Sequence, residues 1–230
     1  MSELINNRRH KRELMKELIM ELHQGKSVDE VKERFASLIE GVSPAEISAM
    51  EQSLIAQGLP VEEVQRLCDV HAAVFKGSLE EYHRAAAAPQ YASGHPVDTF
   101  KRENRQIEKL IEDSIIPAIE SLKKSPDEEG KERLAKAFKQ LWEIDKHYSR
   151  KENLLFPYLE KHGITAPPKV MWGVDDEIRD LIKQLMGPSE GSSPEKLVAT
   201  AQVAINRVKE MIYKEENILF PMALDTLTKE

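Results

Sequence analysis

His147-Tyr-Ser-Arg-Lys151-Glu-Asn-Leu-Leu-Phe-Pro157 is spoken twice in this chain, the second time as Met211-Ile-Tyr-Lys-Glu215-Glu-Asn-Ile-Leu-Phe-Pro221. A second pair of segments repeats in register with the first: Asn104-Arg-Gln-Ile107-Glu-Lys-Leu-Ile111 aligns with Asp175-Asp-Glu-Ile178-Arg-Asp-Leu-Ile182. The order is A, B, A′, B′, a duplicated two-helix unit, and repetition is the strongest single clue to architecture. Two such units supply four helices around one core.

The punctuation between them is that of helices. The first helix of the set spans about 97–123 and is expected to bend at Pro117. Ser125-Pro126-Asp-Glu128 starts the second, which runs to His162-Gly163. Pro167-Pro168 opens the third, ending near Gly187-Pro188. Ser193-Pro194-Glu starts the fourth, which carries to about Leu227. Short connections predict antiparallel neighbours and an up-down-up-down bundle. Ahead of it, residues 1–88 read as a small N-terminal helical domain. Its helix starts are Ser27-Val-Asp-Glu30, with the spacing of a capping box, and Ser43-Pro44-Ala-Glu46. Residues 89–96, containing Pro89, Gly94 and Pro96, have the composition of a linker, and 97–230 form the bundle. The fold class is all-α.

Composition narrows the functions. The chain of 230 residues has a net charge of −7, which argues against nucleic acid, whose backbone is bound mainly by Lys and Arg. No apolar stretch is long enough to span a bilayer, and the N-terminus lacks the apolar core of a signal peptide. A lone cysteine, Cys68, permits no internal disulfide and fits a cytoplasmic protein.

The chemistry lies where polar residues interrupt the apolar stripes. The inward face of the first helix is Phe100, Asn104, Ile107 and Ile111; that of the third is Met171, Asp175, Ile178 and Ile182. The second offers Leu141, Ile144, His147, Lys151, Leu154 and Leu155, and the fourth Val208, Met211, Glu215, Ile218 and Leu219. Asn104, His147, Lys151, Asp175 and Glu215 thus fall at matching levels. Buried charges must be paired, so these groups are expected to meet.

With its repeated Leu/Ile-Leu-Phe-Pro endings, this pattern resembles the hemerythrin-like HHE cation-binding domain. The N-terminal part, with Gly41-Val-Ser-Pro-Ala-Glu-Ile47 and Arg66-Leu-Cys-Asp-Val-His71-Ala-Ala-Val-Phe75, resembles the domain of unknown function 438 that precedes such bundles. In similar longer proteins a PAS-type sensory module follows, which this chain does not include. The resemblance implies a bundle able to hold a non-haem di-iron centre for dioxygen or nitric oxide binding, iron handling or sensing. Its ligands carry over only in part. The pattern places histidine where this chain has Asn104 and Asp175, and His-x-x-x-Glu on the second and fourth helices. Here the second helix has His147 with Lys151 in place of the carboxylate, and the fourth has Met211 in place of the histidine with Glu215 kept.

Two readings of this core follow. His147, Asp175 and Glu215, with Asn104 or water, would suit one non-haem Fe(II), Mn(II) or Zn(II), whereas a di-iron site needs about six protein ligands. Alternatively Lys151, Asp175 and Glu215 form an internal ion-pair network in place of metal, balanced in charge when His147 is protonated. Glu152 and Glu216 are candidate supporting groups, and His95 a candidate extra ligand at the bundle mouth. Cys68 and His71, three apart on one helical face, are a candidate ligand pair for a soft metal or haem iron, or a redox-sensitive thiol; the plainer alternative is a buried cysteine beside a hydrogen-bonded histidine.

The functional expectation is a non-catalytic sensor or binding module, with the N-terminal helices contacting a protein partner or a second copy. The alternatives are a metal-dependent oxidoreductase or iron-centre repair factor, against which Lys151 and Met211 speak, and a metal-free interaction scaffold.

Overall fold

A computed structural model of the chain describes residues 94–187 and 192–227, together with scattered positions between 10 and 60. Most of the expected N-terminal helices, the linker before Gly94, and both Cys68 and His71 lie outside the described residues. At the scattered positions, Ser27 and Glu30 form the reciprocal capping box: Ser27 N–H donates to Glu30 Oε2 at 2.7 Å and Glu30 N–H to Ser27 Oγ at 3.4 Å.

The chain forms two compact units, one of Met1–Pro89, His162–Val170 and Asn217–Glu230, the other of Gln90–Lys161 and Met171–Glu216. The second contains every group of the site. Four long helices build the C-terminal region in up-down-up-down order, and there is no strand among the described residues. The first consists of α1 (Pro96–Leu110), a wide turn at Ile111–Ile115, and α2 (Ile116–Lys124). The second is α3 (Glu128–Leu141), α4 (Ile144–Arg150), a wide turn at Lys151–Leu155, and α5 (Phe156–Lys161). The third is α6 (Ala166–Met186). The fourth is α7 (Pro194–Lys214), a wide turn at Glu215–Leu219, and α8 (Phe220–Thr226).

The wide turns are π-helical, and each stands immediately before an x-Pro pair: Ile116-Pro117, Phe156-Pro157 and Phe220-Pro221. Proline has no N–H to give the carbonyl four residues back and its ring crowds that carbonyl. Widening the turn relieves both problems, with the N–H before the proline bonding five residues back: Ile116 to Ile111 O, and Phe156 to Lys151 O. Pro117 therefore acts through a π-turn upstream of it, where a simple bend was expected.

That widening also corrects the inward face. An α-helix turns every 3.6 residues, but burial along the second helix recurs every four, at 147/148, 151/152 and 155/156. Leu154, expected to point inward, is 62 % exposed, and Glu152 is drawn into the interior. Ile218, its counterpart in the repeat, is only half-buried for the same reason.

Helix starts follow local chemistry. His95 Nδ1 accepts from Val97 N–H at 3.2 Å and Ser193 caps α7 by accepting from Lys196 N–H at 3.2 Å. The second helix is capped by Asp127 and not by Ser125: Asp127 Oδ1 accepts from Gly130 N–H at 2.8 Å. Gly130 is buried in this first turn, and a Cβ there would lie 3.0 Å from Ser125 O and 3.1 Å from Leu122 Cδ1. Gly130→Ala is expected to destabilise the bundle by about 1–2 kcal/mol, because crowding outweighs alanine's better helix propensity. Urea unfolding measures this; increased stability would mean that the turn between α2 and α3 yields freely.

Between the caps, Ile111, Ile115, Leu122, Phe138, Leu141, Ile178 and Val208 are all at most 1 % exposed and make the apolar body of the core.

Candidate functional site: a buried charge cluster

Asn104, His147, Lys151, Asp175 and Glu215 are all buried, none more than 2 % exposed; Glu152, Arg179 and Lys214 are buried as well. Lys151 and Glu215 each occupy the first position of a π-turn, the same place in the two halves of the repeat. π-turns recur at functional sites because they re-aim side chains that a regular helix would leave in one register. Here they aim a cation and a carboxylate at each other.

Lys151 Nζ donates to Glu215 Oε1 at 2.6 Å and to Asp175 Oδ1 at 2.9 Å. It also lies 4.4 Å from the centroid of the buried Tyr148 ring, a cation–π contact. The other oxygen of Glu215 meets His147 Nε2 at 3.0 Å, and His147 Nδ1 meets Glu103 Oε2 at 2.8 Å. Glu103, one-quarter exposed, is held by Arg150 Nη2 at 2.7 Å. A continuous chain of charged hydrogen bonds therefore runs from the surface through Glu103, His147, Glu215 and Lys151 to Asp175.

Electrostatics biases the protonation along that chain. Both ring nitrogens of His147 face carboxylate oxygens, which suits the doubly protonated imidazolium. Burial works against its charge, but Glu215 and Glu103 outweigh burial and raise its pKa above the ordinary value. Burial likewise opposes charge on Lys151, and its two carboxylates more than compensate, raising it. Glu215 would be pushed up by burial, yet two cations, Lys151 and His147, hold it down at about 2. Asp175 faces only one cation, so burial wins and lifts it to about 7.

Asn104 Nδ2 donates to Glu216 Oε1 at 3.3 Å, and Arg105 also pairs with Glu216. Glu152 belongs to a second cluster around Arg179, whose Nη1 and Nη2 reach Glu152 Oε1 and Oε2 at 2.7 and 3.0 Å. Arg179 also bonds Asp145 at 2.7 Å and Asp176 at 2.9 Å. His95 has its Nδ1 committed to capping α1. Among the described residues, Asn104 Oδ1, Tyr148 OH and Asp175 Oδ2 are buried without a hydrogen-bond partner.

Glu103 and Arg179 were not singled out from the sequence. Glu103 lies next to Asn104 on the rim of the apolar stripe, where a glutamate reads as solvent-facing. Arg179 does carry a signal, four residues after Asp175 on the same helical face.

A four-helix bundle with a repeat-matched charged interior is the class this geometry defines. Residues 95–223 match the Hemerythrin HHE cation binding domain family, and residues 15–81 match DUF438, a family of unknown function. The first match covers more than half of the chain, which belongs to the hemerythrin HHE family. No curated protein matches it at a meaningful level.

HHE domains are cation-binding modules, commonly for iron, so the fit of such a centre is a question of donors. A dinuclear centre does not fit these residues. Lys151 and Met211 stand at two positions of its pattern, and a protonated lysine ligates nothing. Both carboxylates that reach the centre already accept from Lys151, and His147 has each ring nitrogen against a carboxylate oxygen, an arrangement that favours a proton over a metal at Nε2. Among the described residues no group of three or more His, Cys, Asp or Glu is arranged to hold a metal ion. Among the described residues, too, no helix is long and apolar enough to cross a membrane.

Proposed function

We propose that the chain is a non-catalytic binding and signalling module of the hemerythrin type, in which a charge cluster and not a dinuclear iron centre ties the four helices together. The observation that carries this reading is the hydrogen-bonded chain from Glu103 to Asp175. It takes one charged group from the first helix, two from the second, one from the third and one from the fourth. A change of charge anywhere along it alters how the helices hold one another, and such a change is what a switch of this kind transmits. The N-terminal segment is the natural receiver, through a protein partner or a second copy of the chain; its separate family match supports treating it as a distinct functional part.

The test is metal analysis of the full chain purified without a chelating tag. Well below one equivalent of iron, zinc or manganese is expected. Two equivalents of iron with a charge-transfer band would sink this reading and favour the oxidoreductase or iron-repair alternative.

A further inference from the structure

We propose that the Lys151 ammonium is the bundle's resident cation, and that the groups around it form a divalent-metal site which the lysine itself blocks. This deepens the metal-free reading of the cluster and rests on it.

Lys151 Nζ sits between Asp175 Oδ1 and Glu215 Oε1, and His147 Nε2 meets Glu215 Oε2, so two basic side chains face two carboxyl groups. One divalent ion beside a neutral His147 matches the same two carboxyl groups. Removing the lysine alone leaves two carboxylates at zero exposure with His147 as their one cationic neighbour, and a divalent ion then competes with a proton for the space the ammonium leaves.

Donor chemistry points the same way. Asp175 Oδ1 and Glu215 Oε1 are satisfied by one group, Lys151 Nζ, at 2.9 and 2.6 Å, so both become acceptors without a donor when it goes. Two further buried oxygens, Asp175 Oδ2 and Asn104 Oδ1, already have no donor among the described residues. Buried acceptors without donors are rare because they are costly, and oxygen lone pairs of this kind are what a divalent ion takes. His147 Nε2, 3.0 Å from Glu215 Oε2, supplies an imidazole lone pair once its proton is displaced. With Lys151 in place these groups are not arranged to hold a metal ion; drawn into the space the ammonium leaves, one imidazole and two carboxylates are a sufficient donor set for a single Fe(II), Mn(II), Zn(II) or Co(II) ion with open positions.

The experiment uses full-length native protein, Lys151→Ala and Lys151→Gln, titrated with Co²⁺ alone at pH 7.5 and read by visible absorption and thermal melting. The glutamine variant retains most of the lysine's volume and keeps the test open if the alanine cavity prevents folding. Native protein is expected to show no cobalt spectrum and no shift in melting midpoint with Co²⁺ or EDTA. Either variant is expected to bind one equivalent, with a midpoint that rises with cobalt concentration and falls back with EDTA. Adding His147→Ala is expected to abolish both signals. Folded variants that ignore cobalt, or native protein that binds it with the same spectrum, would overturn the proposal. Iron in the native chain as purified counts against the functional reading; iron-free native protein with cobalt-silent variants counts against this inference alone.

Discussion

Replacing Lys151 by methionine is expected to lower the stability of the bundle by about 3–5 kcal/mol at pH 8, the usual consequence of breaking a buried ion pair from one side. Methionine keeps most of the unbranched apolar stem and adapts well to a packed interior, so lost volume contributes little. The loss comes from the partners left behind. Glu215, held at about 2 by two cations, retains only His147, and Asp175 retains no cation at all. Neither side chain has any exposure through which water could repay the missing bonds. Asp175 has an escape, since burial already lifts its carboxyl to about 7 and a proton can neutralise it. The loss should therefore shrink when the same urea unfolding is repeated at pH 5. Lys146 provides the control: it pairs with Glu143 with both side chains 69 % exposed, and Lys146→Met should change stability by less than about 0.5 kcal/mol. Similar small losses for the two variants would show that the core cluster does not hold the helices.

Much of this architecture was legible because it is written twice. Apolar stripes that repeat in register specify four helices, and a polar residue at the same level of each stripe specifies a polar layer. Hence Asn104, His147, Lys151, Asp175 and Glu215 could be named from spacing alone. The finer register could not, because periodicity arguments assume 3.6 residues per turn. Leu154 points outward and Glu152 inward because the turn at Lys151–Leu155 is wider than that. Its cause, Pro157, was visible, and so was Pro117; what a proline does inside a packed helix depends on what the neighbouring turns must keep in place. Glu103 escaped notice for a different reason. Its carboxylate reaches His147 from the half-exposed flank of α1, and that approach depends on how two helices lean together. A repeat specifies which residues share a level, and tertiary packing decides which flanking groups close the circuit.

Stability of the bundle is also expected to fall as pH rises from 5 to 8, by roughly 3 kcal/mol. Asp175 sets the sign. Its carboxyl has an ordinary value of 3.8 and is raised to about 7 in the folded chain. Between those values the folded state holds a proton that the unfolded state has released, so raising the pH favours unfolding across that window. His147 acts in the same direction at the upper end: its folded pKa is raised above 6.5, so its contribution is complete below 6.5 and is lost as pH climbs through the folded value. Glu215 opposes them only in acid. Lowered to about 2 from 4.5, it stabilises the fold above 4.5 and loses that effect as pH falls toward 2. The maximum therefore belongs near pH 5, where Glu215 is ionised and Asp175 still neutral. Asp175→Asn separates these terms, because asparagine resembles the protonated acid and still offers Lys151 an oxygen. Urea unfolding should find the variant close to native protein at pH 5 and more stable than it above pH 7, with a pH slope reduced to the share of His147. A native chain that grows more stable from pH 5 to 8, or an asparagine variant that weakens most at pH 8, would mean that Asp175 is ionised throughout and that its pairing with Lys151 outweighs the cost of burying both.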